Sequence, residues 1–364
     1  MSDYAELTRC LAELIVRGGC NLQPGQILAI TTSPGKEELT REVARVGYEH
    51  GARWVDVLSN DPWVKRSRLE LAPEDSLEFV PPWMVERLEW LGRERAARAT
   101  LEGPVAPHLL NGIPASRTGR DLLPYLPNTG RVVNERTTNW TVVPCPSRGW
   151  AESVFPELDG DEAYDRLWRE IAHVCRLEAA DPVAAWHERA EELESAAARL
   201  TERRFDAMHL RGAGTDLTIG LLPSSRWNAA GATTVWGLHH FSNLPTEEVY
   251  TTPDPERTEG IVRSTKPLQL YGTRIDGIEV EFRGGHAVRI DAAVGADALR
   301  AAAARDEAAG RLGELALVDG SGRIGPLGTV FGNTLLDENA ASHIAIGNGY
   351  LVTVEDENDH PRVN

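Results

Sequence analysis

Cysteine is scarce: the 364-residue chain carries four, Cys10, Cys20, Cys145 and Cys175. No two stand in a C-x-x-C pair, which leaves out a cysteine zinc site and a dithiol redox motif. Four cysteines in so long a chain do not make a disulfide scaffold, so reduced core thiols are expected. Positive charge is also in deficit, with 38 Lys and Arg against 55 Asp and Glu, a formal net charge of −17 and a pI near 5.1. That balance argues against sequence-independent nucleic-acid binding and against an anionic membrane surface as partner. No window approaches the roughly 18 consecutive apolar residues of a membrane span. The N-terminal MSDYAELTRCLAELIVRGG lacks the basic start and apolar run of an export signal, so a cytoplasmic location is expected. The chain has no G-x-x-x-x-G-K-[ST] phosphate loop, no G-x-S-x-G elbow and no H-E-x-x-H helix. RGAGTDLTIG, starting at Arg211, has Gly212 and Gly214 but no third glycine at dinucleotide spacing. There is no internal repeat, and the scattered Trp residues make no base-stacking platform.

What is present is an ordinary soluble composition, 41% hydrophobic and 26% charged. At roughly 100–200 residues per domain, the length predicts two domains. The first segment reads as an amphipathic helix, capped by Ser2, with Leu7, Leu11 and Leu14 on one face and Gly18-Gly19 at its end. QILAITT (26–32) and RWVDVL (53–58) read as strands around a helix whose apolar face is Leu39, Val43 and Val46. This strand–helix–strand unit predicts a parallel pair in an α/β layer. Helices are expected near 84–102, over 165–177, and from Asp181-Pro182 onward with Trp186, Ala190, Leu193, Ala197 and Leu200 as the apolar row.

The domain boundary is expected near 205, giving a 1–205 α/β domain and a 206–364 mixed-sheet domain. The fold class is thus α/β plus α+β. The second half predicts short strands at 207–210, 217–222, 277–282, 287–292 and 313–319, with a hairpin at RGG (283–285) and an Ala-rich helix over 296–308.

Three apolar segments of the second half begin or end with an isolated Glu or His: PTEEVY, GELALV and DENAASHIAIG. Metal-dependent hydrolysis needs carboxylate and imidazole donors converging from such segment ends. Glu247 and Glu248, in an extended stretch, point to opposite faces, so one at most reaches a given site. Glu314 heads an apolar strand, where a carboxylate is costly unless paired, metal-bound or exposed. Asp337 reads as a helix N-cap and Glu338 as a first-turn residue. His343 lies beside an apolar face. At a spacing of five, Glu338 and His343 do not share a face of a regular helix, and they converge only if the helix begins between them. Each of these residues also has a bland reading, as a solvated strand entry, a strand cap or a satisfied core histidine.

Taken in order, RGAGTDLTIGL, NLPTEEVYTTPD, STKPL, GELALV and TLLDENAASHIAIGNGY resemble the aminopeptidase T and aminopeptidase S family of two-metal exopeptidases. NLQPGQILAI, YEHGARWVDV, NWTVVPCPSRGWAESVFP and DPVAAWHE extend the resemblance over nearly the whole chain. It implies that Glu248, Glu314, Glu338 and His343 are metal ligands, with Glu314 shared between two ions. It implies that Tyr350 lines the site and stabilises an oxyanion. Glu247 and Glu338 are then the candidates for general base. Two divalent ions, zinc, cobalt or manganese, are the expected cofactors, and short peptides held in the inner cavity of a homodimer the expected substrates.

The family continues past an Asn-x-Ser segment into His-x-Asp, which supplies two further ligands. This chain stops at HPRVN, and the expectation is a C-terminal domain cut short and a second metal site left incomplete. His360, in a loop, is not a natural substitute, and nothing in the spacing of His239 and His240 calls for them. An impaired or non-catalytic family member is therefore one alternative to the aminopeptidase. A mononuclear non-haem iron ring-cleaving dioxygenase on the same scaffold is another, although the glutamate-rich set disfavours it. The alternation at Glu247-Glu248 makes an asymmetric prediction. Glu248→Ala should abolish metal binding at one site while Glu247→Ala leaves metal content largely intact, and equal loss in elemental analysis of the two variants would refute the split.

Overall fold

The computed structural model describes residues 4–364 except 122, 125, 127, 230 and 271. Ser2, the expected first cap, lies outside the described residues. The chain falls into two compact units, one built from residues 1–110, 121–190 and 230–246 and the other from 111–120, 191–229 and 247–364. The fold is a parallel α/β sheet in the first unit and antiparallel sheets in the second.

In the first unit four parallel strands stand in the order Trp54–Ser59, Ile27–Thr32, Ala97–Glu102 and Asn139–Pro144. The expected strand–helix–strand unit is there: helix Glu37–Glu49 buries Leu39, Val43 and Val46 between the first two strands in sequence. The first helix, Tyr4–Glu13, continues as a π-helical stretch, Leu14–Gly19, that buries Leu14, Ile15 and Val16.

The helix expected over 84–102 is two elements. Pro82–Arg93 is helical, Arg95 turns the chain at φ 53°, and Ala97–Glu102 is a strand between two parallel neighbours. Ala97 and Ala99 are good helix formers, but their small side chains fit the covered face of an interior strand, where Ala97, Ala99 and Leu101 are buried. The helix expected from 165 starts earlier, at Gly160, because the Asp159 side chain accepts from Asp161 N and Glu162 N. The Asp181 cap is as expected: it accepts from Val183 N and Ala184 N and opens helix Pro182–Arg203, with Trp186 fully buried. All four cysteines are free, three of them buried.

The second unit holds a two-stranded antiparallel sheet, Leu268–Leu270 with Thr273–Ile275, and two larger antiparallel sheets. One runs His286–Asp291, Glu279–Arg283, Pro253–Arg263, Thr215–Leu221, Ala207–Gly212, and its first two strands form the expected hairpin through Gly284 and Gly285. The other runs His343–Ile346, Leu312–Val318, Glu248–Thr251, Asn228–Ala229. The helix expected over 296–308 covers only Ala296–Ala303. Asp306 ends the run, since its side chain accepts from Ala308 N and Ala309 N and so offers the backbone a turn instead of another helical bond.

His240 is buried against Trp140, its Nδ1 2.8 Å from Trp140 O and 3.2 Å from Trp140 N. Burial lowers its pKa to about 4, against a partial offset from the Trp140 backbone and with help from the His239 charge. A histidine with a depressed folded pKa takes up its proton first in the unfolded chain. Its contribution is therefore fully present above about pH 6.5 and is lost as the pH falls toward 4, a difference of roughly 3 kcal/mol. Denaturant unfolding between pH 7 and 4 should show this loss in the wild type and a flatter profile in His240→Gln. An imidazole resonance for His240 titrating near 6.5 would contradict it.

Candidate metal centre

The four-stranded sheet of the second unit brings distant parts of the sequence to one face. Across it, Tyr250 stands opposite Ala316, and Ala316 stands opposite His343. Glu248 is two residues before Tyr250 and Glu314 two before Ala316, so period-two alternation puts Glu248, Tyr250, Glu314 and His343 on the same side. Ala316 adds only a methyl group in the middle of this row.

The pairing of Leu312–Val318 with His343–Ile346 carries an irregularity between Leu312 and Glu314. Gly313 sits there, and a Cβ would stand 2.3 Å from Gly347 O and 2.4 Å from Asn348 O. Only glycine fits, and the bulge re-aims the strand just before Glu314. Glu314 is thus inside a strand, not at its exposed tip.

Glu338 ends a short helix, Thr334–Glu338. The N-cap is Asn333, whose Oδ1 accepts from Leu336 N at 3.3 Å, and not Asp337 as its position suggests. Asp337 instead accepts from Phe331 N at 2.8 Å and Asn333 N at 3.1 Å, tying the incoming loop to the helix. A first-turn aspartate and an aspartate reaching back to the preceding loop look alike in sequence. The helix stops at Glu338 and the strand starts at His343. Convergence comes from this helix-to-strand change, where a helix beginning between the two residues was the expected route.

His343 Nε2 lies 3.3 Å from Glu248 Oε2 and 3.4 Å from Glu314 Oε1. Nδ1 is 3.1 Å from Ala341 O, which it meets as a donor, so Nε2 is the atom presented to the carboxylates. Glu248 Oε2 and His343 Nε2 are both buried and neither makes a hydrogen bond, so their approach is an ion pair. Burial pushes the Glu248 carboxyl well above the usual carboxylate range; the His343 charge opposes this, while Glu338 and Glu314 reinforce it. Glu338 is raised for the same first reason, with His343 opposing and Glu314 and Asp337 adding to it. Burial by itself would lower His343, but the adjoining Glu314, Glu248 and Glu338 carboxylates outweigh it and hold the imidazole at about 9.

Tyr350 is 41% exposed and packs edge-on to Tyr250, ring centres 6.0 Å apart. Burial of its phenol and the charges of Glu314, Glu338 and Glu248 raise it to about 12. Glu247 is fully buried and turned elsewhere: its carboxylate lies against Gly322 and 3.5 Å from Arg323 N. Its own amide donates to Asn339 Oδ1 at 2.7 Å, and Asn339 Nδ2 donates to Leu335 O at 3.1 Å. Asn339 is fully buried and links the strand entry at Glu247 to the helix of Glu338. Its only mark in the sequence is an amide standing between Glu338 and a run of small residues.

Among the described residues no three His, Cys, Asp or Glu side chains stand as a ready-formed cage around one point. The donors lean on His343 instead. Yet the set suits a divalent cation. Two buried donor atoms without hydrogen bonds face each other, and two more carboxylates share the same field. Three carboxylates and one imidazole match the ligand preferences of zinc, cobalt or manganese. A cation would also take the place of the proton that His343 carries at neutral pH.

Residues 5–362 match the family described as thermophilic metalloprotease (M29). Aminopeptidase T of Thermus aquaticus is 42% identical over 359 residues, covering 98% of this chain and 88% of that protein. Aminopeptidase PepS of Streptococcus thermophilus is 36% identical, covering 98% and 87%. The solved structure of wild-type AmpT from Thermus thermophilus superposes with a TM-score of 0.89 at 39% identity, covering 99% of this chain and 90% of that one. With its parallel sheet, its antiparallel sheets and its carboxylate–histidine cluster, the chain belongs to the thermophilic metalloprotease (M29) family and so to the metal-dependent peptide hydrolases.

Proposed function

We propose that the protein is an aminopeptidase that removes the N-terminal residue of short peptides, with Glu248, Glu314, Glu338 and His343 as its metal-binding side chains. The observation that carries the reading is the facing pair of buried atoms without hydrogen bonds, Glu248 Oε2 and His343 Nε2, in a chain whose relatives are named aminopeptidases. If two ions bind, Glu314 would hold both, as the family resemblance implies. Bound divalent ions supply a water of lowered pKa and a Lewis acid for the scissile carbonyl.

The remaining roles fall to the chain itself. Tyr350, with its pKa near 12, keeps its proton at neutral pH and donates a hydrogen bond to the oxygen that gains charge in the tetrahedral state. Its partial exposure leaves it open to substrate. Of the two candidate bases, Glu338 shares the field of the cluster and takes the proton, whereas Glu247 backs the strand from the 322–323 turn. The free amine of a peptide N-terminus would be held at the metal centre, which favours exopeptidase over endopeptidase cleavage. The dioxygenase alternative has less support, since two histidines and one carboxylate are its usual iron set and the cluster offers the reverse balance. A cytoplasmic homodimer, as the resemblance implies, completes the reading, and sedimentation equilibrium tests the dimer.

Leucine p-nitroanilide should be hydrolysed with added zinc, cobalt or manganese, and its N-acetylated form should not be. Chelation should abolish the reaction and metal should restore it. Absence of turnover with all three metals would overturn the reading. Tyr350→Phe should keep its metal and lose about 10²–10³ in kcat, the usual cost of one oxyanion donor. Elemental analysis of Glu314→Ala should show loss of more metal than Glu248→Ala, and equal loss in the two variants would refute the shared role of Glu314.

A further inference from the structure

We propose that Thr252 and Thr353 are positioning residues for Tyr350, gripping its backbone so that its phenol is fixed relative to Glu248. The proposal rests on the catalytic reading of Tyr350 given above.

The two threonines are among the least accessible polar residues of the second unit, Thr252 at 1% exposure and Thr353 at 0%. They meet both backbone groups of Tyr350. The Tyr350 N–H donates to Thr252 Oγ1 at 2.9 Å. Tyr350 O accepts from the Thr353 hydroxyl at 2.7 Å and lies 3.3 Å from Thr252 Oγ1. The two hydroxyl oxygens are 2.8 Å apart, and the Thr252 N–H donates to Thr353 Oγ1 at 3.1 Å. The two threonines and the Tyr350 backbone form a closed, buried ring of hydrogen bonds. Such a network is stiff because no member can rotate without leaving a buried partner unsatisfied.

The segment leading to Tyr350 does little to fix it alone. Gly347 has φ 108°, and Gly349 comes so close to Thr252 that a Cβ would stand 2.5 Å from Thr252 Cγ2. A chain this permissive needs an external anchor, and Gly349 is what lets the anchor approach. The anchor belongs to the same stretch as a candidate metal ligand. Glu248 carries the carboxylate, Tyr250 packs its ring on Tyr350, and Thr252 holds the Tyr350 backbone. The five residues from Glu248 to Thr252 thus set the distance between carboxylate and phenol.

The threonine hydroxyls bond to the Tyr350 backbone and to each other, so removing a hydroxyl should disturb the phenol and leave the ligands in place. Thr252→Val and Thr353→Val keep the side-chain shape and delete the hydroxyl. Each should lower kcat about 10- to 100-fold, the cost of a misplaced catalytic group. KM and metal content should stay near wild type, and Thr252→Ser and Thr353→Ser should recover the rate. Affinity for a peptide phosphinate, a tetrahedral mimic, should fall in step with kcat, since it reports the same oxyanion contact without turnover. Thr353→Val leaves the Tyr350–Thr252 bond intact and serves if Thr252→Val does not fold, which thermal unfolding decides.

Wild-type kcat in both valine variants overturns the proposal. So does metal content that falls together with kcat, which would place the damage at the ligands. Wild-type kcat in Tyr350→Phe is a different failure, because it removes the catalytic reading of Tyr350 itself.

Discussion

The constraint on which the second unit depends is the burial of like charges. Glu248 and Glu338 are buried beside Glu314, whose charge raises the cost of ionising both, and Glu338 adds to that cost at Glu248. Without positive charge such a set either takes up protons or drives itself apart. His343 supplies that charge, 3.3 and 3.4 Å from two of the carboxylates, and is itself held protonated by them. Buried charges of this kind contribute little to stability, because desolvation consumes most of the attraction. A chain that keeps them at the cost of stability keeps them for binding or chemistry, and a divalent cation in place of the imidazole proton would bring two positive charges to the carboxylates where the proton brings one.

Much of the surrounding structure can be understood as bracing for that unfavourable cluster. The bulge at Gly313 aims one strand, Asp337 and Asn333 lock a five-residue helix, and Asn339 ties that helix to the strand entry at Glu247. A helix of five residues has no stability of its own, since nucleation alone makes so short a segment unfavourable. Its place is set by side chains reaching back to loop amides. The bracing is polar and local, so directional hydrogen bonds hold these side chains where apolar packing alone would leave more freedom.

Local signals in the sequence were legible where one physical rule dominates. Period two placed the hairpin strands on either side of Gly284-Gly285, and Asp181 before Pro182 marked a helix start that its carboxylate does cap. Where two rules compete, the reading went astray. Ala97 and Ala99 favour a helix alone but lie in an interior parallel strand, because tertiary pairing outweighs a propensity difference of well under 1 kcal/mol per residue. The alanines after 303 lose to one aspartate that caps a turn. Asp337 read as a cap because spacing does not tell which way a carboxylate reaches. The candidate site was legible only as a set. Glu248, Glu314 and His343 each had a bland explanation, and register is what puts them on one face.

The alternation that splits the glutamate pair extends further along the same stretch. At roughly 3.3 Å per residue, the chain from Glu248 to Thr252 is a rigid spacer of about 13 Å. Glu248 and Tyr250 occupy one face, while Val249 and Thr251 are buried away from it, Thr251 bonding to Arg226 O at 2.8 Å. A slip of one residue in this strand would exchange the two sets, putting apolar Val249 where the carboxylate belongs. The partners that prevent the slip are the Leu312–Val318 strand on one side and Asn228–Ala229 on the other, with Glu247 clasped by Asn339 at the start. The buried Glu247 then has a structural reason to stand beside Glu248. It closes the turn at Gly322 and Arg323 and so pins the register on which its neighbour's direction depends.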